Sequence, residues 1–428
     1  MAQQIIIKGT PVVGANEVLV ADSNSKIPAV DGSAITAIAG GTITGTIPTA
    51  RLDSGTTANK LVVLGGSGLP AVDGSLLTGI VSHTTSASDP TISTNPSGGV
   101  GSEWINSTSG KQFICTDATA GANVWTCSGS GSGNVEPWVF GGTQYGFMCS
   151  HDNPVSNDIN RWSFTSDANA TDWGDLAGAT RYTKSGHSDI GNSYGYHSGG
   201  LTPLSNEIAR FSMTSSGSSA DVGDLTQATS APASVTNATH CYILGHEFDT
   251  GQGGDGTVVA RWAFASSANA TDWCDLMGQQ YGGGGATNAA GSYGYMMGGH
   301  PPTTNRIQKV NLTSQATATD VADTTQGRYK AAGNSSTTHG YNTAGWSGSN
   351  SNVIDKFNMS TDADSTDVGN LHTATHNVGG SSSTTYGYTA GGHPNINNIQ
   401  KHSFTTDGNA TDVGDLTTGF QGTAGCQH

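Results

Sequence analysis

The chain has 428 residues, of which 62 are glycine and only 11% are charged. Glycine is about twice as frequent as in ordinary proteins, but no Gly-X-Y register is present, which excludes collagen. The 16 basic and 32 acidic residues give a net charge of −16, the wrong sign for a surface that binds nucleic-acid phosphates. The longest apolar runs, such as residues 61–64, are far shorter than the ~20 residues of a membrane span. We therefore expect an acidic, turn-rich β protein with no nucleic-acid partner and no membrane insertion.

The N-terminus and the cysteines predict where the chain is made. Residues 1–8 lack the long apolar core of a secretory signal. The six cysteines include no C-x-x-C pair of the kind that indicates a zinc or thioredoxin-like site. We expect synthesis in a reducing cytoplasm, mostly free thiols, and neither a cofactor nor a metal.

Residues 1–85 contain a short repeat. The segments 27–35 and 69–77 share the phrase Pro-Ala-Val-Asp-Gly-Ser and lie 42 residues apart. Short strands joined by Gly and Asp turns bury too little surface to fold alone, so such chains acquire a core by winding around copies of themselves. This stretch resembles the shaft and attachment regions of bacteriophage tail fibres. The resemblance implies an intertwined trimeric β shaft, with the chain itself and other virion tail or baseplate proteins as partners.

Residues 86–127 predict a small β-hairpin module, with strands at 104–115 and 122–127 around a Gly/Asp turn. A similar module occurs in many phage fibre proteins. Cys115 and Cys127 lie on the two strands, and a disulfide between them stays open at this point. Residues 128–133, Ser-Gly-Ser-Gly-Ser-Gly, form a flexible linker and mark the boundary before the last domain, 134–428.

Six internal repeats fill residues 134–428. Each has an aromatic strand start, and these residues are spaced by 49, 46, 53, 46 and 47 positions: Phe147, Tyr196, Tyr242, Tyr295, Tyr341 and Tyr388. Each then has Ile or Val, a base two residues later, and an aspartate thirteen residues after the Ile or Val. The thirteen-residue interval is the same in all six copies, so the repeat is not a chance pattern. Residues 134–428 are also too regular to form a single irregular domain.

Each repeat reads as four strands, which over about 48 residues indicates a β-propeller blade. Alternation with period two is clear in 399–404, and a strand of small residues precedes each aromatic start except the first. We expect the small-residue strand nearest the axis, where blades crowd together. Residues 422–426 match this strand, so we expect the C-terminal segment to complete blade 1 and close the ring. Cys426 would then lie near Cys149, and a bond between them stays open.

The Tyr-Gly-Tyr-x-x-Gly-Gly strand at 194–200, 293–299 and 386–392 resembles kelch-type propellers such as the central domain of galactose oxidase. The resemblance implies an all-β fold with a six-bladed kelch-like β-propeller at the C-terminus.

One base and one acid recur in every repeat, eleven residues apart, and we expect them to form structural ion pairs that fix strand register. The pairs are Arg161–Asp172, Arg210–Asp221, Arg261–Asp272, Lys309–Asp320, Lys356–Asp367 and Lys401–Asp412. Asp-rich turns such as 362–367 could supply Ca²⁺ ligands, but they lack the Glu-terminated loop, so we expect turns. Asn-Ala-Thr at Asn169, Asn269 and Asn409 matches an N-glycosylation acceptor, but the three copies share one repeat position, so we expect turns here as well.

The loop after the Gly-Gly strand differs between repeats in type and length, whereas the strands agree. A scaffold that fixes its strands and varies one rim is typical of a binding surface; unselected loop variation is the alternative. The candidate receptor-binding residues are Asp152, Leu201, Glu247, Phe248, His300, Trp346 and His393. The rings are suited to stacking on sugars, and the two acids to accepting hydroxyl hydrogen bonds.

These observations predict a structural virion protein, a phage tail fibre made in the host cytoplasm. Its propeller would contact a glycan or protein of the host surface for adsorption, with weak contacts multiplied in a homotrimer. We do not expect an enzyme, because the innermost segments offer no paired carboxyls; only Asp189 follows one of them closely. The alternatives are a head or baseplate decoration fibre without a receptor role, a propeller enzyme acting on surface glycan, and an intracellular kelch-type scaffold, which would need no shaft.

Overall fold

The computed structural model describes residues 83–128, 138–151, 156–177, 185–201, 203–247, 256–422 and 424–428. Within these ranges every regular element is a β-strand, apart from one short 3-10 helix at Ile190–Asn192. The prediction of an all-β chain is confirmed. The predicted shaft, residues 1–85, lies almost wholly outside the described residues, as does the Gly/Ser linker after Ser128.

The predicted hairpin module is a four-stranded sheet. Its strands are β1 (His83–Ser86), β2 (Glu103–Asn106), β3 (Gln112–Asp117) and β4 (Val124–Cys127), hydrogen-bonded in that order. Because β1 pairs in parallel with β2, the boundary predicted between 85 and 86 falls inside a strand. The β1 sequence, His-Thr-Thr-Ser, lacks the apolar alternation that identifies a half-buried strand. Cys115 and Cys127 are both free thiols.

The other described strands form six four-stranded antiparallel sheets, one for each predicted repeat. We number the sheets 1 to 6 and the strands first to fourth across each sheet. The first strands are β28 (Ala424–Gln427), β8 (Ser185–Asp189), β12 (Ala233–Thr236), β16 (Gly284–Thr287), β20 (Ala332–Ser335) and β24 (Gly379–Ser382). The second strands are β5 (Tyr145–His151), β9 (Tyr194–Ser198), β13 (His240–Leu244), β17 (Tyr293–Gly299), β21 (His339–Thr343) and β25 (Tyr386–Ala390).

The third strands are β6 (Ser156–Ser163), β10 (Glu207–Ser212), β14 (Val258–Ala263), β18 (Thr304–Asn311), β22 (Ser351–Asn358) and β26 (Asn398–Ser403). The fourth strands are β7 (Thr171–Asp175), β11 (Ala220–Asp224), β15 (Thr271–Asp275), β19 (Thr319–Asp323), β23 (Ala363–Thr375) and β27 (Thr411–Asp415). The second strands contain the aromatic starts, the third strands contain the Ile or Val, and the fourth strands contain the aspartates thirteen residues later.

Composition predicts that the small-residue strands of sheets 3 to 6 begin at Ala231, Gly282, Lys330 and Asn377. In the structure each begins two residues later. A residue in the left-handed conformation stands two positions before each strand and turns the backbone out of the extended form: Ala231 (φ 48°), Gly282 (φ 70°), Lys330 (φ 58°) and Asn377 (φ 59°). Composition identified the segment, but it did not identify this turn.

The C-terminal strand β28 pairs with β5 of sheet 1, as predicted. The register places Ala424 opposite Cys149 and Cys426 opposite Phe147. Sheet 1 therefore takes its first strand from the end of the described chain and its other three strands from the first repeat. Cys149 and Cys426 lie in one hydrophobic cluster and are both free thiols; burial raises the pKa of Cys149.

The first strands approach one another at backbone distance. They are neighbours in the order β28, β8, β12, β16, β20, β24 and back to β28. Their middle residues are Gly425, Gly186, Ser234, Gly285, Gly333 and Gly380. A Cβ on any of these five glycines would collide with a backbone oxygen of the neighbouring strand. The exception is Ser234, whose Oγ donates a hydrogen bond to the backbone oxygen of the neighbouring strand, Gly186 O, at 3.2 Å.

Side-chain oxygens join the ends of the first strands. The backbone N–H of Gln427 donates to Ser188 Oγ at 2.8 Å, and that of Ser335 donates to Ser382 Oγ at 3.1 Å. The equivalent bonds are Thr236 N to Thr287 Oγ1 at 3.3 Å, Thr287 N to Ser335 Oγ at 3.0 Å and Ser382 N to Gln427 Oε1 at 3.4 Å. These bonds satisfy strand-end N–H groups that the sheets leave unpaired.

Each large hydrophobic core lies between two consecutive sheets. Tyr242 of sheet 3 packs on Leu312 of sheet 4 and donates its hydroxyl to Leu312 O at 2.6 Å. The same arrangement joins sheet 6 to sheet 1, where the rings of Tyr388 and Phe164 stack with their centroids 4.7 Å apart. Six such clusters occur in the described part of these sheets. The sheets are therefore held to one another mainly by apolar burial.

The ion pairs predicted within each repeat are wrong. In sheet 4, Lys309 lies opposite Thr319, whereas Asp320 lies opposite Gln308. Residues directly opposite share a face of the sheet and successive residues alternate, so the base and the acid point to opposite faces. The register is the same in the other five sheets. The correction applies to Arg161–Asp172, Arg210–Asp221, Arg261–Asp272, Lys309–Asp320, Lys356–Asp367 and Lys401–Asp412.

Three of these bases reach the neighbouring sheet instead. Lys309 Nζ lies 2.7 Å from Asp362 Oδ2 of sheet 5, and Lys401 Nζ lies 2.7 Å from Asp167 Oδ1 of sheet 1. The third pair, between sheets 5 and 6, is Lys356–Asp407 at 2.8 Å. The three acids occupy one repeat position. At this position the next sheet has no acid for Arg161, Arg210 and Arg261, and these three stack on the rings of Trp173, Tyr194 and Trp273, respectively.

The Asn-Ala-Thr turns join the outer edges of consecutive sheets. Asn169 Oδ1 accepts the backbone N–H of Asp415 at 3.1 Å, and Ala170 N donates to Asp415 O at 2.7 Å. Sheet 1 is thereby bonded to sheet 6. Asn269 and Asn409 make the equivalent side-chain bonds to sheets 2 and 5. The predicted turns thus also have a packing role.

At one buried position of the third strands, the side chain accepts a hydrogen bond from a backbone N–H of the preceding sheet. Asn160 accepts from Thr417 at 2.9 Å and Gln308 accepts from Met277 at 2.8 Å. In sheet 5 this position is Asp355, a carboxylate only 1% exposed. A buried charge is costly unless it is paired.

Arg328 compensates the Asp355 charge. Its guanidinium is fully buried, and Nη2 lies 2.9 Å from Asp355 Oδ2 and donates to Asn342 O at 2.6 Å. In sheet 4 the corresponding side chains are neutral: Gln308 donates a hydrogen bond to Gln280. The repeats therefore use either a charged pair or an amide pair at the same place.

Replacing only Arg328 with Gln should destabilise the protein by about 3–5 kcal/mol, because Asp355 becomes an unpaired buried charge. The double variant Arg328→Gln/Asp355→Gln copies the amide pair of sheet 4 and should recover most of this loss. Urea unfolding of wild type, both single variants and the double variant measures the coupling. A double variant no more stable than Arg328→Gln would contradict the interpretation.

Three buried histidines predict acid lability. Burial lowers the pKa of His187 to about 3, that of His402 to about 3 and that of His197 to about 4. The unfolded chain binds these protons below about pH 6.5 and the folded chain does not, so stability is complete above that pH and falls on acidification. Each histidine contributes a slope of up to about 1.4 kcal/mol per pH unit.

His402→Phe should reduce this slope by about one histidine's share. Phenylalanine occupies the equivalent place in sheet 5, at Phe357, and both ring nitrogens of His402 lack hydrogen-bond partners among the described residues. Thermal unfolding of wild type and variant from pH 7.5 to 4.5 tests this. Parallel curves of melting temperature against pH would refute it.

Candidate functional site

The predicted rim residues lie just beyond the second strands, where the pairing with the first strand ends. Glu247, His300 and Trp346 each form an isolated bridge to the segment before the first strand of the same sheet, and His393 donates a backbone bond there, to His376 O at 2.8 Å. Leu201 differs, because it bridges to Leu204 in its own loop. Asp152 and Phe248 lie outside the described residues.

Three aromatic residues that the sequence interpretation missed lie directly opposite the predicted ones. Tyr281 is bridged to His300 and Tyr329 to Trp346, and His376 lies opposite His393 by the same register. All three stand three residues before a first strand. These three residues share one repeat position, on the other side of the strand pair from the loop whose variation predicts a binding surface.

The six side chains form a row that we call the aromatic ledge: Tyr281, His300, Tyr329, Trp346, His376 and His393. In sheets 4 and 5, the rings of His300 and Tyr329 stack with their centroids 4.8 Å apart, and Tyr281 meets both edge-on. In sheets 5 and 6, His376 lies 5.0 Å from Trp346 and 4.8 Å from His393. The backbone bridge between Tyr329 and Trp346 makes the two groups continuous.

The ledge is accessible to a ligand. His393 is exposed, and the other five rings are half-buried, so their positions are fixed by packing while part of each ring meets solvent. Rigid, amphipathic rings offer large contact area at low entropic cost. Flat apolar rings with polar edges match the alternating C–H and hydroxyl faces of a sugar.

An acid lies at one end of the ledge. Glu247 Oε2 accepts from Ser230 Oγ at 3.4 Å. Burial, with the Glu247 charge as the second cause, raises the pKa of Tyr281, so this hydroxyl remains a donor at neutral pH. The row from Glu247 to His393 crosses sheets 3 to 6.

The ledge and residues 138–142 lie at opposite ends of the first strands. Gln427 Nε2 donates to Phe140 O at 3.0 Å, and Gly142 N donates to Ser382 O at 2.8 Å; Gln427 and Ser382 are the last residues of β28 and β24. The ledge tyrosines precede β16 and β20. Phe140 lines a central cavity of about 60 Å³, together with residues from both ends of the first strands, such as Ala331 and Thr236.

Asp189, the one acid that followed a first-strand segment, caps the short 3-10 helix by accepting from Asn192 N at 3.3 Å and Asn192 Nδ2 at 2.8 Å. Within the described ranges no three His, Cys, Asp or Glu residues are grouped to hold a metal ion. The same part of the chain has no helix with the length and hydropathy of a membrane span.

No protein-family model matches the chain, and a search of curated proteins gives no significant match.

Proposed function

We propose that the six sheets are the blades of a kelch-like β-propeller closed by β28. Contacts between sheet 6 and sheet 1 support this arrangement: the Lys401–Asp167 ion pair, the Asn169–Asp415 bond and the shared core around Tyr388. A hydrophobic core likewise joins each other pair of consecutive sheets. A linear stack would leave sheets 1 and 6 far apart.

We infer that the protein is a phage fibre protein whose propeller binds host-surface carbohydrate. The aromatic ledge carries this proposal, because a row of partly exposed rings beside a carboxylate suits a glycan. Its location, at the opposite end of the first strands from residues 138–142, leaves it free to meet a surface. The repeats of residues 1–85 favour a trimeric fibre attached to tail or baseplate proteins, in which three ledges would raise avidity.

Closure by the C-terminal strand predicts a specific effect of Gly425→Ala. The new Cβ would collide with Gly380 O, so we expect a loss of about 1–3 kcal/mol. Gly278→Ala is the matched control, since its Cβ would meet nothing within 4 Å. Chemical unfolding measures both. If Gly425→Ala is as stable as the control, β28 is not packed against β24 and the closed propeller is wrong.

A glycan array probed with the full chain tests the receptor proposal. We expect retention on at least one surface-type glycan, and at least tenfold weaker binding for Trp346→Ala and Tyr329→Ala, because each removes a stacking ring. Val100→Ser is the control, since Val100 is 66% exposed in the N-terminal module. Equal binding by the ledge variants, or no retained glycan, would overturn the proposal; shortened glycan chains would favour the enzyme alternative.

A further inference from the structure

A hollow of about 220 Å³ lies beside one end of the aromatic ledge. It is lined by Gln279, Pro301, Pro302, Thr304 and Arg306, among others. Pro301 follows the ledge residue His300 directly, so a ligand stacked on that ring would reach the hollow with its next unit. The volume is below the ~300–1,000 Å³ of pockets for drug-sized ligands and is close to that of a single sugar ring.

Arg306 is not required by the scaffold. The equivalent residues of the other sheets are Asp158, Glu207, Val258, Val353 and Asn398. A base occurs at this position only in sheet 4, which also has the Pro301–Pro302 pair. Departure from the repeat at adjoining positions indicates a local function rather than a requirement of the fold.

The guanidinium is oriented by Asp320. Arg306 Nε lies 3.2 Å from Asp320 Oδ2, and among the described residues neither terminal nitrogen has a hydrogen-bond partner. The side chain is about one-third exposed. Two parallel N–H donors held in a fixed plane, next to a carboxylate acceptor, can bind a pair of neighbouring hydroxyls or an acetamido carbonyl.

The local charge excludes a strongly acidic sugar. Asp323 lies opposite Arg306 in the β18–β19 register, so two carboxylates surround one guanidinium. An added carboxylate or sulfate would be repelled. The proline rings provide an apolar wall for the C–H face of the ligand.

We propose that this hollow is a subsite for one neutral sugar ring, a hexose or an N-acetylhexosamine, of the glycan that lies on the ledge. The proposal rests on the proposed carbohydrate-binding function. Arg306 donates to the ring substituents, Asp320 positions Arg306 and accepts a hydroxyl, and the prolines contact the apolar face.

Saturation-transfer NMR with the full chain tests the subsite. The probes are methyl galactoside, methyl glucoside, N-acetylglucosamine and glucuronic acid, each at millimolar concentration. We expect transfer to at least one neutral sugar and little to glucuronic acid, and a reduction of at least fivefold in Arg306→Val, which carries the residue of sheets 3 and 5. Arg306→Gln serves if the valine variant unfolds, and Val100→Ser should match wild type.

Undiminished transfer in the Arg306 variant, preferential transfer to glucuronic acid, or transfer to none of the sugars would overturn the subsite. The array distinguishes this failure from that of the receptor proposal. If Trp346→Ala loses glycan binding and Arg306→Val retains it, the ledge binds carbohydrate without the subsite. If neither variant changes binding, the receptor proposal fails as well.

Discussion

The close approach of the six first strands is the constraint on which the remaining structure depends. Their middle residues contact the neighbouring backbone directly, so five are glycine and the sixth is a serine that bonds to the oxygen it meets. With the first strands this close, the second-strand aromatics of one sheet reach the next sheet, and apolar cores form between consecutive sheets. The small residues of the first strands and the large residues of the second strands thus both follow from the close approach of the first strands.

Regular spacing made much of this fold predictable from the sequence. The aromatic starts, the alternating third strands and the pairing of the last segment with the first repeat all follow from period and residue type. The failures have physical causes. The base–acid interval gives the separation of the two residues along the chain but not their cross-strand register. The register is offset by one residue from a direct pairing, so Lys309 and Asp320 lie on opposite faces of the sheet. The small-residue strands begin later than composition predicts, because left-handed residues such as Lys330 precede them. Composition does not reveal this backbone conformation.

The candidate site was only half predictable. Variation between repeats identified His300, Trp346 and His393, because these residues differ where the scaffold agrees. Their cross-strand neighbours Tyr281 and Tyr329 were missed, since a pair of residues 17 to 19 positions apart becomes one surface only through the hairpin register. Arg328 of the buried Arg328–Asp355 pair directly precedes Tyr329 in sequence, and the equivalent pair in sheet 4, Gln280–Gln308, is neutral. Departures from the repeat therefore concentrate around the ledge.

The pairing of β28 with β5 also determines when sheet 1 can be completed during synthesis of the chain. Residues 145–151 are synthesised long before residues 424–427. Sheet 1 therefore lacks its first strand, β28, until the other five sheets have been synthesised. The contact spans nearly the whole repeat region, and such distant pairing is entropically slow. During that interval an unpaired edge is open to neighbouring nascent chains. A chain that ended before residue 424 would leave this edge permanently bare, so assembly of sheet 1 depends on synthesis of residues 424–427.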